Sequence, residues 1–111
     1  TGIATNVTGI ATNATGIASN LSGIGTNTGY INRLSGDIDV LRSGVAASLA
    51  HAGMPVAPGD GWGFAVGTGH FDGESAIAAG FTFKSEKASY KFSVGNSGGE
   101  TTASAGAAWN F

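Results

Sequence analysis

The side chains able to do chemistry are few in this sequence, and they are scattered. The two histidines, His51 and His70, stand 19 residues apart in stretches of different character. A lone histidine near a strand end is ordinarily interfacial rather than a metal ligand. Asp37 and Asp39 fall beside Arg33 and Arg42 in a stretch of helical pattern, where ion pairs that steady a helix bundle account for them. Asp72 and Glu74 flank Gly73 at a hairpin tip and are read as solvating it, as Glu86-Lys87 does at another turn. Gly67-Thr68-Gly69 does not open a helix, so it is not a phosphate-cradling loop. No nucleophile stands with a base and an orienting acid. No catalytic residue, metal or cofactor is expected, and the chain is not read as an enzyme.

The polar residue that does recur is asparagine. Asn6, Asn13, Asn20 and Asn27 are spaced by seven within a Thr-Gly-Ile-Ala-Thr-Asn repeat covering residues 1–29. With Ile3 as position a of a heptad, Ile10, Ile17, Ile24, Ile31, Ile38 and Val45 follow at a. The four asparagines then occupy d, succeeded by Leu34 and Leu41. An unbroken series of β-branched residues at one heptad position signals a coiled coil. Gly2, Gly9, Gly16 and Gly23 sit at g, and each costs about 1 kcal/mol of helix propensity against alanine. Only association through the a/d seam would hold such a helix, so an obligate parallel oligomer is expected. Buried asparagine layers lower stability but fix register and oligomer state. Two other readings stand beside this one. Asn6-Val7-Thr8, Asn13-Ala14-Thr15 and Asn20-Leu21-Ser22 are formal N-glycosylation sequons. A β-turn solenoid would also suit Thr, Asn and Gly.

The elements that must position these residues follow from pattern. From Tyr30 the coiled coil gains charges, then thins to Ala46, Ala47, Ala50 and Ala52. Gly53 and Pro55 end it, and residues 54–61 form a turn-rich connector. From Trp62 to Phe111 four strands alternate with period two: Trp62–Phe71, Glu74–Lys84, Ala88–Asn96 and Thr101–Phe111. One face is large, with Trp62, Phe64, Val66, Ile77, Phe81, Phe83, Tyr90, Phe92, Val94 and Trp109. The other is small, with Gly63, Ala65, Gly67, Gly69, Ala76, Ala78, Gly80, Gly95, Gly106 and Ala108. A sandwich strand in water buries its large face and turns long polar residues outward; here the second face suits a wall pressed against something.

Composition agrees with a surface that does not all face water. Glycine makes up 20 of 111 residues, and only 11% of residues are charged, against a usual ~25%. The net charge is −2 with five Lys and Arg, which excludes the basic stripe of a nucleic-acid binder. There is no cysteine, so no disulfide framework. No apolar run of ~18 residues encodes a transmembrane helix, but membrane barrel strands barely register in hydropathy.

Strands of this length match the ~9–11 residues a tilted membrane strand needs. Four strands cannot close a barrel, and open edges are not tolerated in lipid. A trimeric coiled coil would supply twelve. Twelve strands at ~4.8 Å spacing and ~40° tilt give a radius of roughly 12 Å. Three bundled helices ~10 Å across fill roughly 11 Å. That leaves almost nothing for inward side chains and explains the small face as pore lining. The expected architecture is a homotrimeric, twelve-stranded antiparallel membrane β-barrel with helices in its pore. Residues 1–31 form the stalk, 32–53 the helix inside the pore, 54–61 the connector and 62–111 the barrel segment.

In the order of its motifs the chain resembles the C-terminal membrane anchor of trimeric autotransporter adhesins, the YadA-like family. The resemblance lies in the heptad stalk entering Leu41-Arg42-Ser43-Gly44-Val45-Ala46-Ala47, then Gly53-Met54-Pro55, Gly69-His70-Phe71-Asp72-Gly73-Glu74-Ser75-Ala76, and Trp109-Asn110-Phe111. It implies type V secretion: an anchor in a bacterial outer membrane that exports an N-terminal adhesin passenger and then tethers it. The stalk would stand at the cell surface, and the partners would be two further copies, outer-membrane lipid, the insertion machinery and a host surface ligand bound by the passenger. Phe111 would be the insertion signal, and Gly67 or Gly69 would leave room for the passing chain. Asn6, Asn13, Asn20 and Asn27 resemble layers that hold an axial anion such as chloride. Only Asn27-Thr28 keeps the family's threonine after the asparagine, so the amides bonding to one another or to water stand equally open. Since the repeat is already under way at Thr1, the chain is expected to be the C-terminal part of a longer protein. The rival readings are a soluble fibrous trimer and a small trimeric pore.

Overall fold

A computed structural model of a single chain describes all residues, 1–111. It forms one long helix, α1 (Gly2–Gly53), and four strands, β1 (Gly61–Phe71), β2 (Glu74–Lys84), β3 (Ala88–Ser97) and β4 (Glu100–Trp109). By contacts the chain divides into two units, Thr1–Asp37 and Ile38–Phe111.

The first unit is helix throughout, so the solenoid reading of the repeat does not describe it. Thr1 caps the start: its Oγ1 accepts from Ala4 N at 3.2 Å, which satisfies one of the free N–H groups of the first turn. The threonines that should weaken a helix turn their hydroxyls back on it. Thr5, Thr8, Thr15, Thr26 and Thr28 each donate to the carbonyl four residues before, at 2.9–3.2 Å. That bond removes the hydroxyl's competition for other backbone groups at a small cost in helix geometry. The seam from Ile3 to Ile31 stays open, with these isoleucines 61–79% exposed. No contact within the chain covers it, and an isolated helix of this composition is marginal in water.

In the second unit the strands form one antiparallel meander in the order β1-β2-β3-β4. Two hairpins close with two-residue turns. Asp72 and Gly73 have φ of 47° and 85°, and Gly98 and Gly99 have 56° and 87°, the left-handed pairs of type I′ turns that match strand twist. Ser97 pairs with Glu100, so the second turn is tighter than the four-residue connection read from sequence. Two further boundaries move. β1 begins one residue early, at Gly61, and β4 stops at Trp109 rather than Phe111. Asn110 N still donates to Lys87 O at 2.8 Å, in register with the Ala88–Trp109 pair. At the other end of α1, Met54 N bonds His51 O at 3.3 Å and Pro55 follows, so the helix cannot continue.

The two faces divide as their residue sizes dictate. Ala65, Ala76, Ala78, Thr82, Ser93 and Ser97 are at most 7% exposed, whereas Trp62, Phe64, Phe81 and Val94 are 60–69% exposed. The buried side is the small one. That reverses the arrangement of a sheet stabilised by water alone.

Candidate functional site

The small-residue face is occupied by the last three turns of α1. Ala46, Ala47 and Ala50 have no exposed surface and cluster with Ala76 and Ala78. Alanine on alanine lets two backbones approach, and two glycines bring them closer still. A Cβ on Gly67 would strike the Ala50 carbonyl and lie 2.8 Å from Met54 N. On Gly69 it would strike the Ala46 carbonyl and lie 2.6 Å from Ala50 N and 2.8 Å from Leu49 Cβ. These obstacles are mostly backbone, so neither can swing aside.

The other expected pore-lining residues differ in what holds them small. Ala65, Ala76 and Ala78 are buried on this face. Gly95 abuts the His51 ring, 3.0 Å from the position a Cβ would take to Nε2. Gly63 lies under Ala57 of the connector rather than under the helix. Gly80 is constrained from within the sheet: a Cβ there would strike the Phe92 carbonyl and lie 2.7 Å from Ser93 Cα. Gly106 and Ala108 share the face but are exposed, and nothing approaches within 4 Å of a Cβ at Gly106.

Near the end of the helix, small residues give way to hydrogen bonds. His51, 8% exposed, sets Nδ1 2.6 Å from Ser93 Oγ and 3.2 Å from Ser104 Oγ. Its Nε2 lies 2.8 Å from Thr102 Oγ1, and the two serine hydroxyls are 2.7 Å apart. A neutral imidazole donates from one nitrogen and accepts at the other, and hydroxyls fill either role. Lys91 Nζ donates to His51 O at 3.1 Å and to Met54 O at 2.9 Å. A cation there meets carbonyls at the helix end and the negative pole of its dipole. Sequence reasoning missed this cluster. Its one visible signal was Lys91, a long cation alternating with Ser89, Ser93 and Gly95 on the small face.

Farther up the helix, Arg42 Nε donates to Asp72 Oδ2 at 2.9 Å, and Ser43 Oγ donates to Glu74 Oε2 at 3.4 Å. His70 shares a 3.0 Å hydrogen bond with Ser75 across the β1–β2 ladder. No group of three or more His, Cys, Asp or Glu is placed to hold a metal. Asn6, Asn13, Asn20 and Asn27 lie along α1 in the first unit, all exposed in the single chain. Phe111, past the end of β4, is exposed too.

On the large face, aromatic rings meet in rows set by the strand register. Trp62 pairs with Phe83 and Phe83 with Tyr90, their ring centroids 5.3 and 5.9 Å apart. Phe64 and Phe81 form the next row at 5.9 Å. The opposite end of this face carries Thr68, His70, Ile77, Asn96 and Thr101. The aromatic residues of the large face are therefore concentrated at one end, where β1 begins.

A family model described as the YadA-like membrane anchor domain matches residues 55–111, just over half of the chain. The chain belongs to that family. The matched part is the connector and all four strands, and α1 precedes it. No curated protein matches the chain. Membership implies a membrane anchor of trimeric autotransporters, located in the outer membrane and assembled as a homotrimer. It is a structural anchor family rather than a family of enzymes. No helix of the chain is long and apolar enough to cross a membrane.

Proposed function

We propose that three copies of this chain close a twelve-stranded barrel that exports an N-terminal adhesin passenger and then tethers it at the bacterial surface. One observation carries the reading. The sheet has its small face occupied by its own helix, its large face bare, and both edge strands, β1 and β4, without an outer partner. Each large side chain moved from water to an apolar environment gains on the order of 2 kcal/mol, so the large face favours lipid. Unpaired backbone groups in lipid cost several kcal/mol each, so the edges must pair with other copies. The open heptad seam supports assembly through the helices as well.

The helix packed on the small face supports a plugged barrel over an open pore. During export the same face would line the path of the unfolded passenger, with Gly67 and Gly69 giving it width. Phe111 is read as the contact for the insertion machinery. The asparagine layers are read as axial sites for an anion such as chloride in the assembled stalk, most strongly at Asn27-Thr28. The decisive experiment is the mass of the protein extracted in detergent, before and after heating. A trimer that dissociates only on heating is expected. A monodisperse monomer, soluble without detergent, would sink the proposal.

A further inference from the structure

The contact between α1 and the sheet is smooth over most of its length. Ala46, Ala47 and Ala50 lie on Gly67, Gly69, Ala76 and Ala78, and none of these side chains is long enough to lock into its opposite number. Packing of this kind holds the helix against the sheet by close approach of backbones, with few interlocking side chains. Sliding by one residue moves a helix ~1.5 Å and turns it ~100°. Such a step would put Ala47, Ser48 and His51, or Val45, Ala46 and Leu49, in the places of Ala46, Ala47 and Ala50, and would misplace every directional bond. Those bonds concentrate at one place. His51 engages hydroxyls of both β3 and β4, while Lys91 reaches back from β3 to the carbonyls of His51 and Met54. At the other end of the contact, Ser43 meets Glu74 at only 3.4 Å, and the side chains of Arg42 and Asp72 are 42% and 61% exposed.

We propose that His51 and Lys91 are positioning residues that fix how far along the sheet the helix comes to rest. In the exporting anchor they would act as the stop: chain slides over a smooth face until the His51 ring meets Ser93, Thr102 and Ser104. Lys91 then closes on the helix end. A histidine suits the task because its two nitrogens lie on opposite sides of a rigid ring and reach hydroxyls of β3 and β4 at once. Lys91 suits it because its partners are backbone carbonyls, present only where the helix ends. This inference rests on the anchor reading, since resting position is measured in the assembled trimer.

The chain has no cysteine, so a disulfide can report position. A Cβ at Gly98 would lie 3.9 Å from Ser43 Cβ, within the roughly 3.5–4.5 Å that a disulfide requires. The pair S43C/G98C lies about two helical turns from His51, so it reads helix position rather than local damage. The left-handed φ of Gly98 adds a strain common to every variant compared. In the full-length protein, purified in detergent, the pair should oxidise nearly completely. Adding H51A/K91M should lower the yield at least threefold while the heat-modifiable trimer persists, and H51Q/K91R should restore much of it. An unchanged yield in H51A/K91M trimers overturns the proposal. Should that variant fail to assemble, T102V/S104A removes only hydroxyls and carries the same test: a lower yield supports the stop, an unchanged one overturns it. Absence of a heat-modifiable trimer from the unaltered protein would instead remove the anchor reading itself.

Discussion

Gly69 and Gly67 are held to their size by backbone atoms of α1, and Gly80 by backbone atoms of β3. That difference separates their predicted effects. Overpacking a fixed interior costs ~1–3 kcal/mol. Gly69→Leu should reach or exceed the top of that range, because the Ala46 carbonyl and Ala50 N cannot rotate away. The expected result is a heat-dissociation midpoint well below that of the unaltered trimer, with reduced passenger display; unchanged melting and display would contradict a packed helix–sheet contact. Gly80→Ala should weaken the sheet of each chain before any assembly, seen as lost β signal in circular dichroism of the detergent-solubilised protein. Arg42→Ala offers the contrast. Its partners Asp39 and Asp72 have side chains 65% and 61% exposed, and exposed pairs contribute ~0–1 kcal/mol. Its melting midpoint should stay within a few degrees of the parent's.

Within α1, glycines at the g positions and hydroxyls at c and f oppose the helix that the seam demands. In the single chain nothing lies within 4 Å of where a Cβ on Gly23 would stand, so Gly23→Ala should return up to about 1 kcal/mol of propensity. A higher thermal midpoint for the helical signal is expected, and a lower one would mean that a neighbouring copy packs closely against Gly23. The helix and the strands were legible in sequence because each is periodic: isoleucine every seventh residue, aromatic against glycine every second. The sizes along β1 and β2 even indicated which face α1 would cover. What stayed hidden depends on local geometry that periodicity does not encode. The connection at Gly98-Gly99 reads as four residues and is two, and β4 ends at Trp109 rather than Phe111. The His51 cluster was hidden for another reason. Its members, at positions 51, 91, 93, 102 and 104, come from three elements, and no spacing along the chain joins them.

For the assembled molecule the informative position is Gly106, on the small face yet uncovered in the single chain. If only its own helix mattered, Gly106→Leu would be nearly silent. In the closed trimer proposed above, the helices of neighbouring copies would crowd that part of the lumen, and the substitution should then lower the trimer's melting midpoint, as expected for Gly69→Leu. Native mass spectrometry and heating gels on the two variants side by side would decide it, and a silent Gly106→Leu would argue for an unfilled lumen. The strand count has a consequence of its own. Four is even, so β4 runs opposite to β1. When copies related by rotation meet edge to edge, β4 of one therefore faces β1 of the next in antiparallel sense, whatever the number of copies in the ring. An odd count would have forced a parallel joint at every boundary. For the barrel proposed above, parity leaves the circumference open at the wall, and rewriting the a and d residues of α1 would test whether the heptads set it.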